Sequence, residues 1–219
     1  MRSYAKGVGL LNSQGIPTDF CRYVGQFDPH LHRIDTQWLL HYFLCAPMHN
    51  GPAFWSQLVL LRFQLENKIE KRTLTQDLKQ FTSGIGDRLL SNSTYESTAT
   101  AFLGTYAKSD ALGALRILEG ASGEYIVGQP VEPTPAVFGY ALADFWEHAW
   151  GDASTVNLAR ITERDGPAAL FFLGSGATNR LLRALQAEGV LEVHRRAPPY
   201  QVLRLWSSAD ALLEKVYVE

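Results

Sequence analysis

The chain has 219 residues with a net charge of −2, and 46% of its residues are apolar while only 19% are charged. This composition excludes a disordered chain and supports one large domain or two small ones. The small net charge does not by itself indicate a nucleic-acid binder, although it says nothing about how the charges are distributed.

The first half of the chain is predicted to be helical, because its apolar residues recur at helical spacing. Short helices are expected before residue 12 and after Thr18, and longer ones over residues 52–65, 74–82 and 93–107. Between them, Asp35 is expected to cap a helix with the sequence DTQWLLHYFLCA.

A looser stretch from Gly120 to Pro135 holds one predicted strand, EYIV, and marks a boundary inside the chain. Pro135 then opens the strongly apolar helix AVFGYALADFWEHAW. Tyr140, Asp144, Glu147 and His148 share one side of this helix. Two carboxylates beside a histidine can bind a divalent metal or share a proton, but a solvated face with an Asp144–His148 pair is the favoured interpretation.

The tail predicts a winged helix-turn-helix. A helix around VNLARI leads to PAALFFL, and a second helix in GSGATNRLLRALQAEG is expected to start at a Ser175 cap and stop at Gly189. VLEVHRR and QVLRLW then form a hairpin, and ADALLEKVY forms a last helix. In a winged helix the second helix enters the major groove and the hairpin tip meets the DNA backbone.

Basic and polar residues occupy both of these places. The residues predicted to contact DNA are Arg2, Lys6, Thr178, Asn179, Arg180, Arg183, Arg195 and Arg196. The alternative is a winged helix that docks proteins, with its arginines merely solvated.

The segment DPHLHR carries Asp28, His30 and His32. A His-hydrophobic-His triplet occurs in metal- and tyrosine-dependent enzymes that nick single-stranded DNA, where it lies on a central strand. Here it falls in a loop between helices, so a surface loop is favoured over a metal site. G-x-S-x-G, H-E-x-x-H and paired zinc-type cysteines do not occur in the sequence.

His41 sits in the middle of the helix that Asp35 introduces. Tryptophan, leucine, tyrosine and phenylalanine cover almost every direction around this helix, which predicts burial. A buried imidazole must be hydrogen-bonded and is costly to charge, so His41 is predicted to be a neutral structural residue.

Four segments resemble, in order, a bacterial family known as the domain of unknown function 4007. They are QFDPHL with DTQWLLHYFL, AFW at 53–55, PAVFGYALADFW, and DGPAALFFLGSGATNRLLRALQAEG. The residues carried over are Asp28, Pro29, Trp38, His41, Tyr42, Phe138, Tyr140, Asp144, Phe145 and Trp146. Two features depart from the family: a shorter amino-terminal helical stretch, and Ala168, Ala169 and Phe172 in place of basic positions.

The resemblance implies a part in DNA phosphorothioation, because family members accompany its genes and one branch resembles the B component of the single-strand (Ssp-type) system. That component is implicated in nicking DNA so that sulfur can enter the backbone. The expected function is a DNA-binding and DNA-nicking endonuclease, with Asp28, His41 and Asp144 as catalytic candidates and Mg²⁺ or another divalent metal as cofactor. A non-catalytic winged-helix regulator or assembly scaffold is the alternative.

The predicted fold is mainly α with a small β component. The expected domains are a shortened amino-terminal helical or winged-helix remnant (1–34), a helical body (35–150) and the winged helix (151–219). Expected partners are DNA, other proteins of a phosphorothioation complex and a second copy in a homodimer, with no membrane. Cys21 and Cys45 are expected to stay reduced, and the polar start MRSYAKGVGLL predicts a cytoplasmic protein without a signal peptide.

Overall fold

The computed structural model describes residues 2–82 and 91–218, in two compact units. One unit combines Met1–Gly51 with Glu132–Glu219, and the other is Pro52–Val131. These units divide the chain after Gly51 and after Val131, whereas the predicted domain boundaries at residues 34 and 150 remain a prediction. About 54% of the protein is helical and its sheets are small, which confirms the predicted fold class.

The helices and strands are numbered in chain order. The helices are α1 (Arg2–Gly7), α2 (Asp19–Phe27), α3 (Ile34–Cys45), α4 (Ala53–Arg62), α5 (Lys71–Thr82), α6 (Asn92–Ala107), α7 (Pro135–Ala149), α8 (Leu158–Thr162), α9 (Pro167–Leu170), α10 (Ser175–Ala187) and α11 (Asp210–Val218). The strands are β1 (Lys68–Glu70), β2 (Leu118–Ala121), β3 (Glu124–Val127), β4 (Thr155–Asn157), β5 (Leu191–His194) and β6 (Gln201–Arg204). None of these helices is both long and apolar enough to cross a membrane.

Helices α3 and α7 form the centre of the first unit. Every α3 residue from position 36 to position 45 is buried, as its all-round apolar sequence predicts. The cap predicted at Asp35 is wrong, because α3 begins at Ile34 after Arg33. Asp35 instead accepts a 3.0 Å hydrogen bond from the hydroxyl of Thr134, the residue that caps α7. This bond ties together the starts of the two central helices.

The carboxyl-terminal segment forms a three-stranded antiparallel sheet in the order β4–β6–β5, beside α8, α9 and α10. This element order agrees with the winged helix-turn-helix, which remains a prediction. The cap predicted at Ser175 is wrong, because Gly174 occupies that position and offers no side chain. Helix α10 packs against α7, where a Cβ added to Gly139 would lie 2.7 Å from a methyl carbon of Leu185. Glycine therefore permits the close approach of these two helices.

The second unit contains α4 to α6 and an antiparallel sheet in the order β1–β3–β2. Its strand β3 is the predicted EYIV segment. Aromatic side chains fill its core, where the Trp55 indole donates a 2.7 Å hydrogen bond to the Tyr106 hydroxyl. Arg62 makes two 2.6 Å hydrogen bonds to the largely buried carboxylate of Asp77 and so satisfies its charge.

Candidate functional site

His41 is completely buried in α3. Its Nε2 atom lies 2.7 Å from the main-chain oxygen of Leu170, and the imidazole donates this bond because a carbonyl oxygen only accepts. Burial lowers the pKa of His41 from 6.5 to about 4, and the bond to Leu170 opposes this shift. The predicted burial of His41 is confirmed, and the lowered pKa agrees with the predicted neutral imidazole. As a catalytic candidate, His41 lacks the access to solvent that contact with a DNA strand requires.

A cluster of His49, Asp144 and His148 lies in the same unit. Asp144 and His148 are one turn apart on α7, and His49 comes from the turn after α3. The Nε2 atom of His49 lies 2.7 Å from Oδ2 of Asp144, and Nδ1 of His148 lies 3.7 Å from Oδ1. The two imidazole rings are 5.1 Å apart between centroids. We refer to these three residues as the His–Asp cluster.

Two buried tyrosines adjoin Asp144. The hydroxyl of Tyr42 donates a 2.6 Å hydrogen bond to Oδ2 of Asp144. Burial, reinforced by the negative charge of Asp144, raises the pKa of both Tyr42 and Tyr140 well above the ordinary value. Both phenols therefore stay protonated at neutral pH, and neither is an activated nucleophile.

The solvated face predicted for α7 is present only in part. Tyr140 and Asp144 are buried, at 4% and 7% exposure, whereas Glu147 and His148 are exposed. The predicted Asp144–His148 pair is present, with 3.7 Å between Oδ1 and Nδ1. Glu147 accepts a 2.7 Å hydrogen bond from the main-chain nitrogen of Ala209, just before α11. The second carboxylate of the predicted face therefore holds the start of another helix.

The cluster opens into a cleft of about 410 Å³ that Lys6, Asn12 and Asn50 also line. Lys6 is half-buried, and its ammonium group donates a 2.5 Å hydrogen bond to the main-chain oxygen of Ser13. The structure thus brings a predicted DNA contact, Lys6, and a predicted catalytic residue, Asp144, to one cleft. A cation that lines the same cleft as two imidazoles and a carboxylate suits an anionic substrate group that undergoes proton transfer.

The loop from Asp28 to Arg33 has a structural explanation. Asp28 is buried, and its two carboxylate oxygens accept hydrogen bonds from the main-chain nitrogens of His32 and Arg33 at 2.8 and 3.0 Å. These bonds satisfy donors at the start of α3. His30 and His32 are exposed, with ring centroids 5.8 Å apart. Among the described residues, the side chains that lie close enough together to hold a metal ion are those of the His–Asp cluster. His30 and His32 do not belong to this group.

Replacing Asp28 with alanine is expected to lower the free energy of unfolding by about 1–3 kcal/mol, because two main-chain donors lose their acceptor. Urea denaturation followed by circular dichroism measures the change. Asp165→Ala, at an exposed position, is the control and should change stability by less than about 0.5 kcal/mol. Unchanged stability together with lost DNA nicking would instead indicate a catalytic Asp28.

Four exposed arginines surround α10 and the tip of the β5–β6 hairpin: Arg180, Arg183, Arg195 and Arg196. Arg195 donates a 2.5 Å hydrogen bond to the side-chain oxygen of Asn179, which connects the hairpin tip with the first turns of α10. Arg180 forms a 2.7 Å ion pair with Glu132. We refer to the four arginines as the basic surface.

Two further predicted DNA contacts are placed differently. Thr178 is buried at 1% exposure, and its hydroxyl donates a 3.0 Å hydrogen bond to the main-chain oxygen of Gly174. Thr178 lies in the first turn of α10, as predicted, but its side chain points into the protein rather than toward a ligand. Arg2 belongs to α1, and its side chain lies outside the described residues.

These features define a mainly helical protein with a basic helix-and-hairpin surface and a cleft that holds a His–Asp cluster. The chain belongs to the family described as Protein of unknown function (DUF4007), whose model matches residues 1–217. The resemblance seen in the sequence motifs is thereby confirmed.

Two solved structures have a similar fold. Magnesium ion-bound SspB aligns with a TM-score of 0.76 and 16% sequence identity, and SspB aligns with a TM-score of 0.74 and 15% identity. Each alignment covers 99% of this chain and 74% of that chain. At these identities the likeness establishes the fold. No curated protein matches the sequence.

Sequence reasoning missed His49. It is separated from Asp144 by 95 positions, so no local spacing connects the two residues. The available signal was its place in the segment HNG, four positions after the last residue of the buried helix α3. Polar residues at the end of a buried element are good candidates for a site, because the element fixes their position.

Proposed function

We propose that this protein binds DNA as a component of a bacterial backbone phosphorothioation system and nicks one strand of that DNA. Membership of the family and the fold shared with SspB support the link to phosphorothioation, through the Ssp-type B component that the family resembles. Other proteins of the same apparatus are its expected partners.

The observation that carries the DNA-binding part is the hydrogen bond between Arg195 and Asn179. It joins the hairpin tip, which carries Arg195 and Arg196, to the helix that carries Arg180 and Arg183. Arginine suits this role because its planar guanidinium pairs with phosphate oxygens and stays charged. Cations on one surface neutralise neighbouring phosphates and release counterions, which drives binding.

The nicking part is assigned to the cleft. Lys6 would bind the phosphate that is cut, and the His–Asp cluster would hold and activate the attacking water, whose proton passes to solvent. Asp144 orients His49 through the 2.7 Å contact, and Tyr42 in turn fixes the carboxylate. Water is the nucleophile in this proposal, because the adjoining tyrosines are protonated. The phosphorus–oxygen bond to one sugar breaks, and the departing oxygen takes up a proton.

Conversion of supercoiled plasmid to open circles tests the nicking activity. The protein is incubated with plasmid in the presence of Mg²⁺, Mn²⁺ or Zn²⁺ and, separately, with a chelator. Asp144→Asn and His49→Gln are expected to slow nicking by at least about a hundredfold, the usual loss when acid–base catalysis is removed. Asp165→Asn, which makes the same change at an exposed site, should nick as the unaltered protein does.

Two outcomes would contradict this assignment. If Asp144→Asn nicks plasmid as fast as the unaltered protein does, the catalytic residues lie outside the cleft. Tight DNA binding without nicking under any of these conditions would favour the regulator or scaffold over the endonuclease.

A further inference from the structure

We propose that His49, Asp144 and His148 form a binding site for a late first-row transition-metal dication, represented by Zn²⁺. One nitrogen or oxygen of each side chain lies within 4.8 Å of the others. Three protein ligands with an open position are typical of catalytic zinc sites. The inference rests on the proposed function, since it names the class of ion in the nicking cleft, but its test needs no DNA.

The ligands are already held in place. Tyr42 fixes the Asp144 carboxylate through a 2.6 Å hydrogen bond, and α7 holds His148 one turn further along. The ring of His49 contacts that of Phe43 edge-on, with 4.7 Å between centroids. A dication therefore requires little ordering of the side chains when it binds.

The hydrogen bonds leave the cluster ready for a metal. Nδ1 of His148 donates to the main-chain oxygen of Asp144 at 2.8 Å, so its Nε2 atom carries the lone pair. A ring nitrogen that donates to a carbonyl oxygen is the usual support of a metal-binding histidine. Nε2 of His49 and Oδ2 of Asp144 already lie 2.7 Å apart, so a dication could be held by both atoms.

The donor set selects the kind of ion. Mg²⁺ prefers an octahedron of oxygen ligands, whereas imidazole nitrogens suit zinc, iron and nickel. Two of the three donors here are imidazoles, so the cluster does not match the magnesium that one SspB structure contains. Asp210 also lines the cleft and adds negative charge, while Asp19 is paired with Arg22 and Lys6 contributes a positive charge.

Metal titration of chelator-treated protein tests the inference. Calorimetry measures Zn²⁺ and Mg²⁺ binding, and visible absorption follows Co²⁺ as a coloured substitute. One Zn²⁺ per chain is expected, bound at least about a hundredfold more tightly than Mg²⁺. The double variant His49→Ala, His148→Ala should weaken Zn²⁺ binding by at least about tenfold. The matched control, His30→Ala with His32→Ala, also removes two histidines and should bind Zn²⁺ normally.

Asp144→Asn decides the matter if the double variant does not fold, as judged by circular dichroism. Its amide oxygen can still accept from Tyr42, while its lost charge should weaken Zn²⁺ binding at least about tenfold. Mg²⁺ binding as tight as Zn²⁺ binding, or Zn²⁺ binding that survives these substitutions, overturns the inference. If the unaltered protein binds Zn²⁺ but neither binds nor nicks DNA, only the proposed function is overturned. If it binds and nicks DNA but does not bind Zn²⁺, only the inference is overturned.

Discussion

Replacing Arg195 and Arg196 together with alanine is expected to weaken duplex DNA binding roughly a hundredfold at 0.1 M salt. Each phosphate contact contributes about 0.9 to the slope of log affinity against log salt, so two lost contacts reduce the slope by about 2. Fluorescence anisotropy with a labelled duplex, repeated from 50 to about 300 mM salt, measures both the affinity and the slope. The loss should be similar for unrelated sequences, because phosphates carry no sequence information.

The control variant also removes two positive charges, but from a different part of the protein surface. Arg22→Ala with Arg72→Ala also takes two exposed arginines away, one from α2 and one from α5. This variant should keep DNA affinity within about threefold, the change expected when only long-range charge is altered and salt screens it. Equal losses in the two double variants would mean that net charge, not the basic surface, drives binding.

Acid is expected to destabilise the protein through His41. Its pKa is 6.5 in the unfolded chain and about 4 in the folded protein, so the unfolded state binds more protons between these values. This histidine therefore costs no stability above pH 6.5, and its penalty grows as the pH falls toward 4. The shift corresponds to a loss of about 2–3 kcal/mol between pH 7 and pH 4.5, at about 1.4 kcal/mol per pKa unit.

Urea unfolding at several pH values measures this loss. His41→Gln removes the titrating group, so its stability should fall less steeply with acid by about the same amount. The imidazole proton resonances of His41 should titrate near pH 4 in nuclear magnetic resonance spectra. A midpoint near 6.5, or equal acid sensitivity in the variant, would show that burial does not control this histidine.

The central helices were predictable from their local sequence. Helix α3 is apolar in nearly every direction, and this pattern alone predicted both the burial and the neutral state of His41. Pro135 marked the first residue of α7, since proline fits the first turn, where its missing N–H costs nothing. The helix caps at Asp35 and Ser175 were wrong by one or two residues, because competing donors and acceptors near a helix end leave the boundary to tertiary contacts.

The His–Asp cluster was beyond local reasoning. Asp144 looked solvated because it shares a helix side with Tyr140, Glu147 and His148, which are all polar. Its burial depends on Tyr42 and His49, which lie 102 and 95 positions away in the sequence. The spacing of apolar residues within one helix cannot predict such a contact, because it forms only when two buried helices pack together.

Sequence alone determined which segments are helical, which helices are buried, and that the arginines concentrate near α10 and the hairpin after it. These properties follow from side-chain size, polarity and spacing along a single element. Tertiary structure decided which polar groups come together: His49 with Asp144, and Asn179 with Arg195. The physical reason is that a buried polar group must find a partner, and only the packing of distant elements determines which partner lies within hydrogen-bond distance.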